Sequence, residues 1–162
     1  MTVFCFVDSP LGPLALTAAD GQLTGLWLPA QHFPSDALPE APDAIPFDAA
    51  RAWLADYFQG LRPDPASVPL RLAGTPFQLR VWQALREIPY GHTVSYGALA
   101  RKLGSSPRAV GGAVGRNPIS LLVPCHRVVG ADGSLTGYAG GLEAKARLLE
   151  METGRAFFGK EA

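Results

Sequence analysis

The chain has 162 residues, 48% of them hydrophobic and 17% charged, and its basic and acidic side chains cancel to a formal net charge of zero. That composition belongs to a folded globular protein with one sizeable core or two small ones, and it excludes a disordered or fibrous chain. No apolar run approaches a membrane span, Met1-Thr2-Val3-Phe4 lacks the basic start of a signal peptide, and Cys5 and Cys125 are too far apart for a disulfide framework or a zinc-ligand spacing. The expectation is a cytoplasmic protein with reduced thiols, no membrane contact and no metal. The neutral total hides an asymmetry. Residues 1–74 carry three arginines against eight acids, a balance of −5, whereas residues 75–162 carry eleven Lys and Arg against six acids, a balance of +5. The halves read as two domains, 1–74 and 75–162, and a basic half points to a polyanion such as the nucleic-acid backbone.

In chain order, residues 3–7 and 14–19 read as short strands, and Asp20-Gly21 is a hairpin signal that returns the chain through a strand at 22–28. Residues 29–46 are proline-rich and predict a long surface loop. From Asp48 to Phe58 the apolar residues recur at helical spacing, with Gly60 as a stop. A second irregular stretch through Pro63, Pro65 and Pro69 ends near Gly74, the expected domain boundary. Thr75-Pro76 opens a helix over 76–88, ended by Pro89-Tyr90-Gly91. Ser95 can cap a short helix through Leu103, and Ser106-Pro107 starts another to about Arg116; two short helices joined at Gly104 fit a helix-turn-helix. The second of these contains Gly111, Gly112 and Gly115, which together oppose helicity by roughly 2–3 kcal/mol. Something must compensate: close packing on another helix, or close approach to a nucleic-acid backbone. Residues 127–135 read as a hairpin turning at Ala131-Asp132-Gly133, residues 138–141 as a loop, and 142–152 as a final helix.

Between the helix-turn-helix and that hairpin lies Asn117-Pro118-Ile119-Ser120-Leu121-Leu122-Val123-Pro124-Cys125-His126-Arg127. The apolar run reads as a buried strand stopped by Pro124, which places a thiol at a strand end beside a histidine and an arginine. A thiol attacks as the thiolate, and neighbouring basic or cationic groups are what lower its pKa. Cys125 is therefore a candidate nucleophile, although a free cysteine also serves often as a small buried hydrophobe.

Ser95-Tyr96, Arg108-Ala109-Val110-Gly111, Gly115-Arg116-Asn117-Pro118, Pro124-Cys125-His126-Arg127-Val128 and Tyr138-Ala139-Gly140-Gly141-Leu142 resemble, in order and spacing, the O6-alkylguanine-DNA alkyltransferases. The likeness is strong over residues 75–154 and weaker over 1–74. It implies an α+β fold, with a small ribonuclease-H-like sheet-plus-helix domain followed by a mainly helical, winged-helix-like domain. It also implies a monomer, with cooperative binding to DNA an open alternative, acting without a cofactor on double-stranded DNA that contains O6-alkylguanine. Cys125 would accept the alkyl group once, and His126 would deprotonate it through a water. Glu152 would orient His126, Tyr96 would donate a proton to guanine N3, and Asn117 would bond the backbone around the turn. Arg108 would replace the flipped nucleotide in the stack, with Ser95, Ala109, Gly111, Gly112 and Arg116 along the DNA. Val123, Pro124, Val128, Tyr138, Ala139 and Gly140 would line the base pocket, leaving Lys145 and Ser134 as accessories. Two other classes remain: a turnover cysteine hydrolase or transferase on small molecules, and a non-enzymatic binder of alkylated DNA, which would lack the thiol.

Overall fold

A computed structural model of the chain describes residues 1–33, 37–135 and 137–155, which fall into two compact units, Met1–Ala73 and Gly74–Ala162. In the first unit, β1 (Val3–Val7), β2 (Leu14–Ala19) and β3 (Gln22–Trp27) form an antiparallel sheet in that order. Asp20 and Gly21 turn the chain between β2 and β3 at φ 53° and 77°, the left-handed region that an Asp-Gly pair tolerates. The central strand is buried along its whole length, and α1 (Ile45–Phe58) packs on the sheet through Phe47, Ala50, Trp53, Leu54 and Tyr57.

Two expectations are corrected here. The helix begins at Ile45 rather than Asp48, because Pro46 occupies its first turn, where a missing N–H costs no helical hydrogen bond. The proline-rich stretch is not a detached loop throughout. Phe4 N donates to Pro39 O at 3.1 Å and Ala41 N donates to Phe4 O at 2.9 Å, so this segment runs along the outer edge of β1. Pro34, Ser35 and Asp36 of that stretch lie outside the described residues.

The second unit is built on α2 (Pro76–Arg86), α3 (Tyr96–Leu103), α4 (Pro107–Gly115) and α5 (Leu142–Thr153), with β4 (Val94–Ser95) pairing in parallel with β5 (Val128–Val129). Thr75 and Gln78 close a capping box on α2. Ser95 Oγ accepts from Ala98 N at 3.0 Å and Ser106 Oγ from Ala109 N at 3.1 Å, caps worth about 1 kcal/mol each. Gly104, at φ 64°, ends α3 in the left-handed conformation and makes the tight turn into α4. α2 locks the pair: Trp82 Nε1 donates to Ala113 O at 2.8 Å and Arg80 Nη2 to Leu103 O at 3.0 Å.

Further corrections fall around the cysteine. Residues 119–123 are buried but form no strand; Leu121 stands at φ 72°, and a 3-10 turn (Cys125–Arg127) leads into β5, so the cysteine precedes a strand instead of ending one. An apolar run buried on all sides has no alternation to reveal its conformation. The turn after Gly130 exists, with Gly130 N donating to Ser134 O at 2.8 Å, but β5 pairs with β4 and does not extend a hairpin. Val129, Leu135 and Leu149 cluster there, with Ala146 against them, and fix α5 beside β5. Among the described residues no helix is long and apolar enough to cross a membrane.

Candidate active site

The β4–β5 pairing decides what meets what. Val94 lies opposite Val128 and Ser95 opposite Val129, so the start of α3, with Tyr96, is held beside the Cys125–Arg127 turn. Asn117 shapes the approach to that turn: its Nδ2 donates to Val123 O at 2.8 Å and its Oδ1 accepts from Ile119 N at 3.0 Å. These bonds satisfy backbone groups that a strand ladder would otherwise have paired. α5 supplies the far wall. Lys145, Leu148, Leu149 and Glu152 follow the i, i+3, i+4, i+7 spacing of one helix face, and all four are buried.

Glu152 bonds two neighbours of the thiol. His126 Nε2 lies 2.7 Å from Glu152 Oε2, and Arg127 Nε donates to Oε1 at 2.8 Å. A carboxylate can only accept, so Nε2 carries the imidazole proton and Nδ1 is the free lone pair. Nδ1 is buried and has no hydrogen-bond partner among the described residues. Adjacent side chains on the turn do not face each other easily, and this orphaned acceptor suits a bridging water towards the thiol.

Burial pushes the Cys125 thiol up, while the Asn117 side chain, the Tyr138 hydroxyl, the Lys145 ammonium and a backbone group pull the other way. His126 is lowered, chiefly by burial and also by the charges of Arg127 and Lys145, against the raising effect of Glu152. It is therefore a neutral base at rest. Burial alone would raise the Glu152 carboxyl, but His126 and Arg127 hold it well below the usual carboxylate range. Lys145 is wholly buried; burial depresses it to about 8, with Cys125 opposing the change. Its Nζ lies 5.8 Å from the ring centroids of both Tyr96 and Tyr138. Tyr96 is raised by burial and then by Cys125, so it keeps its proton. With Arg127 and Glu152 cancelling, the buried cluster carries one surplus positive charge, on Lys145, which a Cys125 thiolate would balance.

The other residues singled out from the sequence fall into two groups. Val123, Pro124, Val128 and Gly140 are buried, Tyr138 is half-buried and Ala139 exposed. Arg108, Ala109, Gly112 and Arg116 are exposed on α4 and its C-terminal cap, whereas the Ser95 hydroxyl is committed to capping α3. A Cβ added at Gly112 or Gly115 would meet nothing within 4 Å, and at Gly111 only the Tyr96 ring at 3.9 Å, an ordinary contact. Helix packing therefore does not explain these glycines. Lys145 and Arg127 were undervalued by the sequence reading. For Lys145 a signal existed, since seven residues before Glu152 on a helix is the same face.

A buried thiol beside a carboxylate-bonded histidine shares one small domain with a helix-turn-helix, the combination expected of a DNA-acting enzyme. The chain belongs to the 6-O-methylguanine DNA methyltransferase family, matching its DNA binding domain over residues 76–154 and its ribonuclease-like domain over residues 3–72. A methylated-DNA–protein-cysteine methyltransferase of Mycobacterium tuberculosis is 47% identical over 152 residues, covering 93% of this chain and 92% of its own. The Haemophilus influenzae protein of the same name is 40% identical over 152 residues, with 92% and 85% covered. Among solved structures, Mycobacterium tuberculosis OGT in complex with DNA matches with a TM-score of 0.85 at 46% identity, over 96% of this chain and 95% of that one. The Methanococcus jannaschii O6-methylguanine DNA methyltransferase matches with 0.70 at 28% identity, over 96% and 97%. The α+β fold and the family read from the sequence are both borne out.

Proposed function

We propose that this protein repairs duplex DNA by direct reversal, moving the alkyl group of O6-alkylguanine onto Cys125 in a single-use reaction. O6 is inaccessible inside the stack, so the nucleotide must be flipped out; Arg108 fills the gap while the glycine-bearing face of α4 lies against the minor groove. The Cys125 proton passes through a water to His126 Nδ1, and the sulfur attacks the alkyl carbon. The C–O bond breaks with its electron pair going to guanine, a thioether forms, and the proton held on Tyr96 is offered to guanine N3 so that the base leaves neutral. The imidazolium proton then passes through solvent to the Tyr96 phenolate, restoring neutral His126 and Tyr96 and leaving Cys125 alkylated and the guanine intact. An unactivated alkyl thioether is not cleaved by imidazole, carboxylate or amine side chains, which supports one event per molecule.

The observation that carries this reading is the buried Cys125–Arg127 turn, in which His126 is bonded to Glu152 at 2.7 Å on one nitrogen and has no partner among the described residues on the other. Two free cysteines are in keeping with the cytoplasm. A small-molecule transferase has no use for an exposed, basic, glycine-bearing helix, and a non-enzymatic DNA binder has none for the thiol. Intact-mass spectrometry after mixing with duplex containing O6-methylguanine tests the proposal. The expected result is one addition of about 14 Da, mapped to Cys125, with activity lost in proportion. Repeated turnover, or an unmodified Cys125, overturns it.

A further inference from the structure

Arg127 makes more of the site than its place beside the cysteine suggests. Its Nε donates to Glu152 Oε1 at 2.8 Å and its Nη2 to Oε2 at 3.1 Å, a bidentate grip on a carboxylate that also bonds His126 through Oε2 at 2.7 Å. Its third arm, Nη1, donates to Ile88 O at 2.7 Å, and Tyr90 lies under the guanidinium at 5.8 Å from ring centroid to Cζ. Gly91 N reaches Glu152 Oε1 at 3.4 Å. The carboxylate is thus fixed from three sides, and its charge is cancelled inside a buried site.

We propose that Arg127 is a positioning residue for the alkyl transfer, clamping Glu152 so that the carboxylate orients the His126 ring without making that ring a strong base. A buried histidine facing an uncompensated carboxylate gains its proton readily and holds it, and an imidazolium cannot accept the proton of the Cys125 thiol. Cancelling the carboxylate keeps Nε2–H aimed and Nδ1 unprotonated near neutrality. The charges facing the imidazole are Glu152 and Lys145 from α5 and Arg127 from its own turn; burial is the main cause of the depressed basicity of His126, and the Arg127 and Lys145 charges add to it against the raising effect of Glu152. The inference rests on His126 being the base for Cys125. Failure of that reading shows as a reaction rate of the unaltered protein that does not follow the His126 titration, whereas failure of the Arg127 role shows as a midpoint and a pH 6 to pH 8 rate ratio that Arg127→Met leaves in place.

The chain has three histidines, of which His32 and His92 are exposed and His126 is fully buried, so the His126 nitrogens can be followed by 15N NMR against pH. In the unaltered protein His126 is expected to be neutral at pH 7 with the proton on Nε2. In Arg127→Met its midpoint should rise by about one pH unit or more, because the carboxylate charge is no longer cancelled. The reaction with O6-benzylguanine should then slow at pH 6 relative to pH 8 by a larger factor than in the unaltered protein. Loss of packing alone would slow the reaction equally at both pH values and leave the midpoint in place; that result overturns the proposal. If Arg127→Met does not fold, the unaltered protein still decides: an imidazolium at pH 7, or a proton on Nδ1, refutes the clamp.

Discussion

Gly112→Ala separates the two demands on α4. The position is exposed in the helix interior, and an added methyl meets no atom within 4 Å in the free protein. Alanine is favoured over glycine there by about 0.8–1 kcal/mol, through intrinsic helix propensity and a less flexible unfolded chain. For a chain of this length that gain corresponds to a Tm about 2–4 °C higher if both units unfold together, readable by calorimetry or circular dichroism. The same methyl would stand between the helix and the groove in the proposed complex. Duplex affinity, measured by fluorescence anisotropy at fixed salt, should fall by about fivefold to tenfold, or roughly 1–1.4 kcal/mol. The variant is thus expected to be more stable and to bind less well. A lower Tm would mean the glycine serves an intramolecular contact, and an unchanged affinity would mean that this face does not approach DNA.

Arg108→Ala should slow repair of duplex substrate much more than the reaction with free O6-benzylguanine, since only the former needs a gap filled; equal losses in single-turnover rates refute the assignment. Glu152→Gln leaves Arg127 buried without its counter-charge and should cost about 3–5 kcal/mol of stability at pH 7 in denaturant titration. The carboxyl is depressed in the folded chain, so its contribution is complete above the unfolded value of about 4.5 and lost as pH falls below it. Below pH 4.5 the unaltered protein should accordingly lose stability more steeply than the variant, and parallel curves would contradict the ionised, clamped state. Lys145→Met should move Cys125 ionisation, followed by thiolate absorbance, to higher pH. Because Lys145 itself titrates at about 8, the reactivity advantage of the unaltered protein should be greatest below that pH and fade above it; a constant ratio across the range would remove Lys145 from thiolate stabilisation.

The primary sequence by itself determined the local elements with strong chemical punctuation. Ser95, Ser106 and Thr75 start their helices as side-chain caps, Gly104 and Gly154 end theirs in the left-handed region, and Asp20-Gly21 makes its hairpin. It also determined the family, because Pro-Cys-His-Arg and its flanking motifs are contiguous in the chain. Two local readings failed for different reasons: Pro46 read as a breaker although a first helical turn accepts it, and the buried run 119–123 read as a strand although nothing in its pattern specifies one. Only the tertiary structure decided the electrostatics of the site. Parallel pairing of β4 with β5 brings Tyr96 to the cysteine turn, and the packing of α5 on β5 carries Glu152 to His126 and Arg127, and Lys145 between two tyrosine rings. An acid and a lysine near a helix end look solvated in sequence. Burial beside opposite charges is what makes them functional, because desolvation and Coulomb energy depend on distances across the fold that no local pattern encodes.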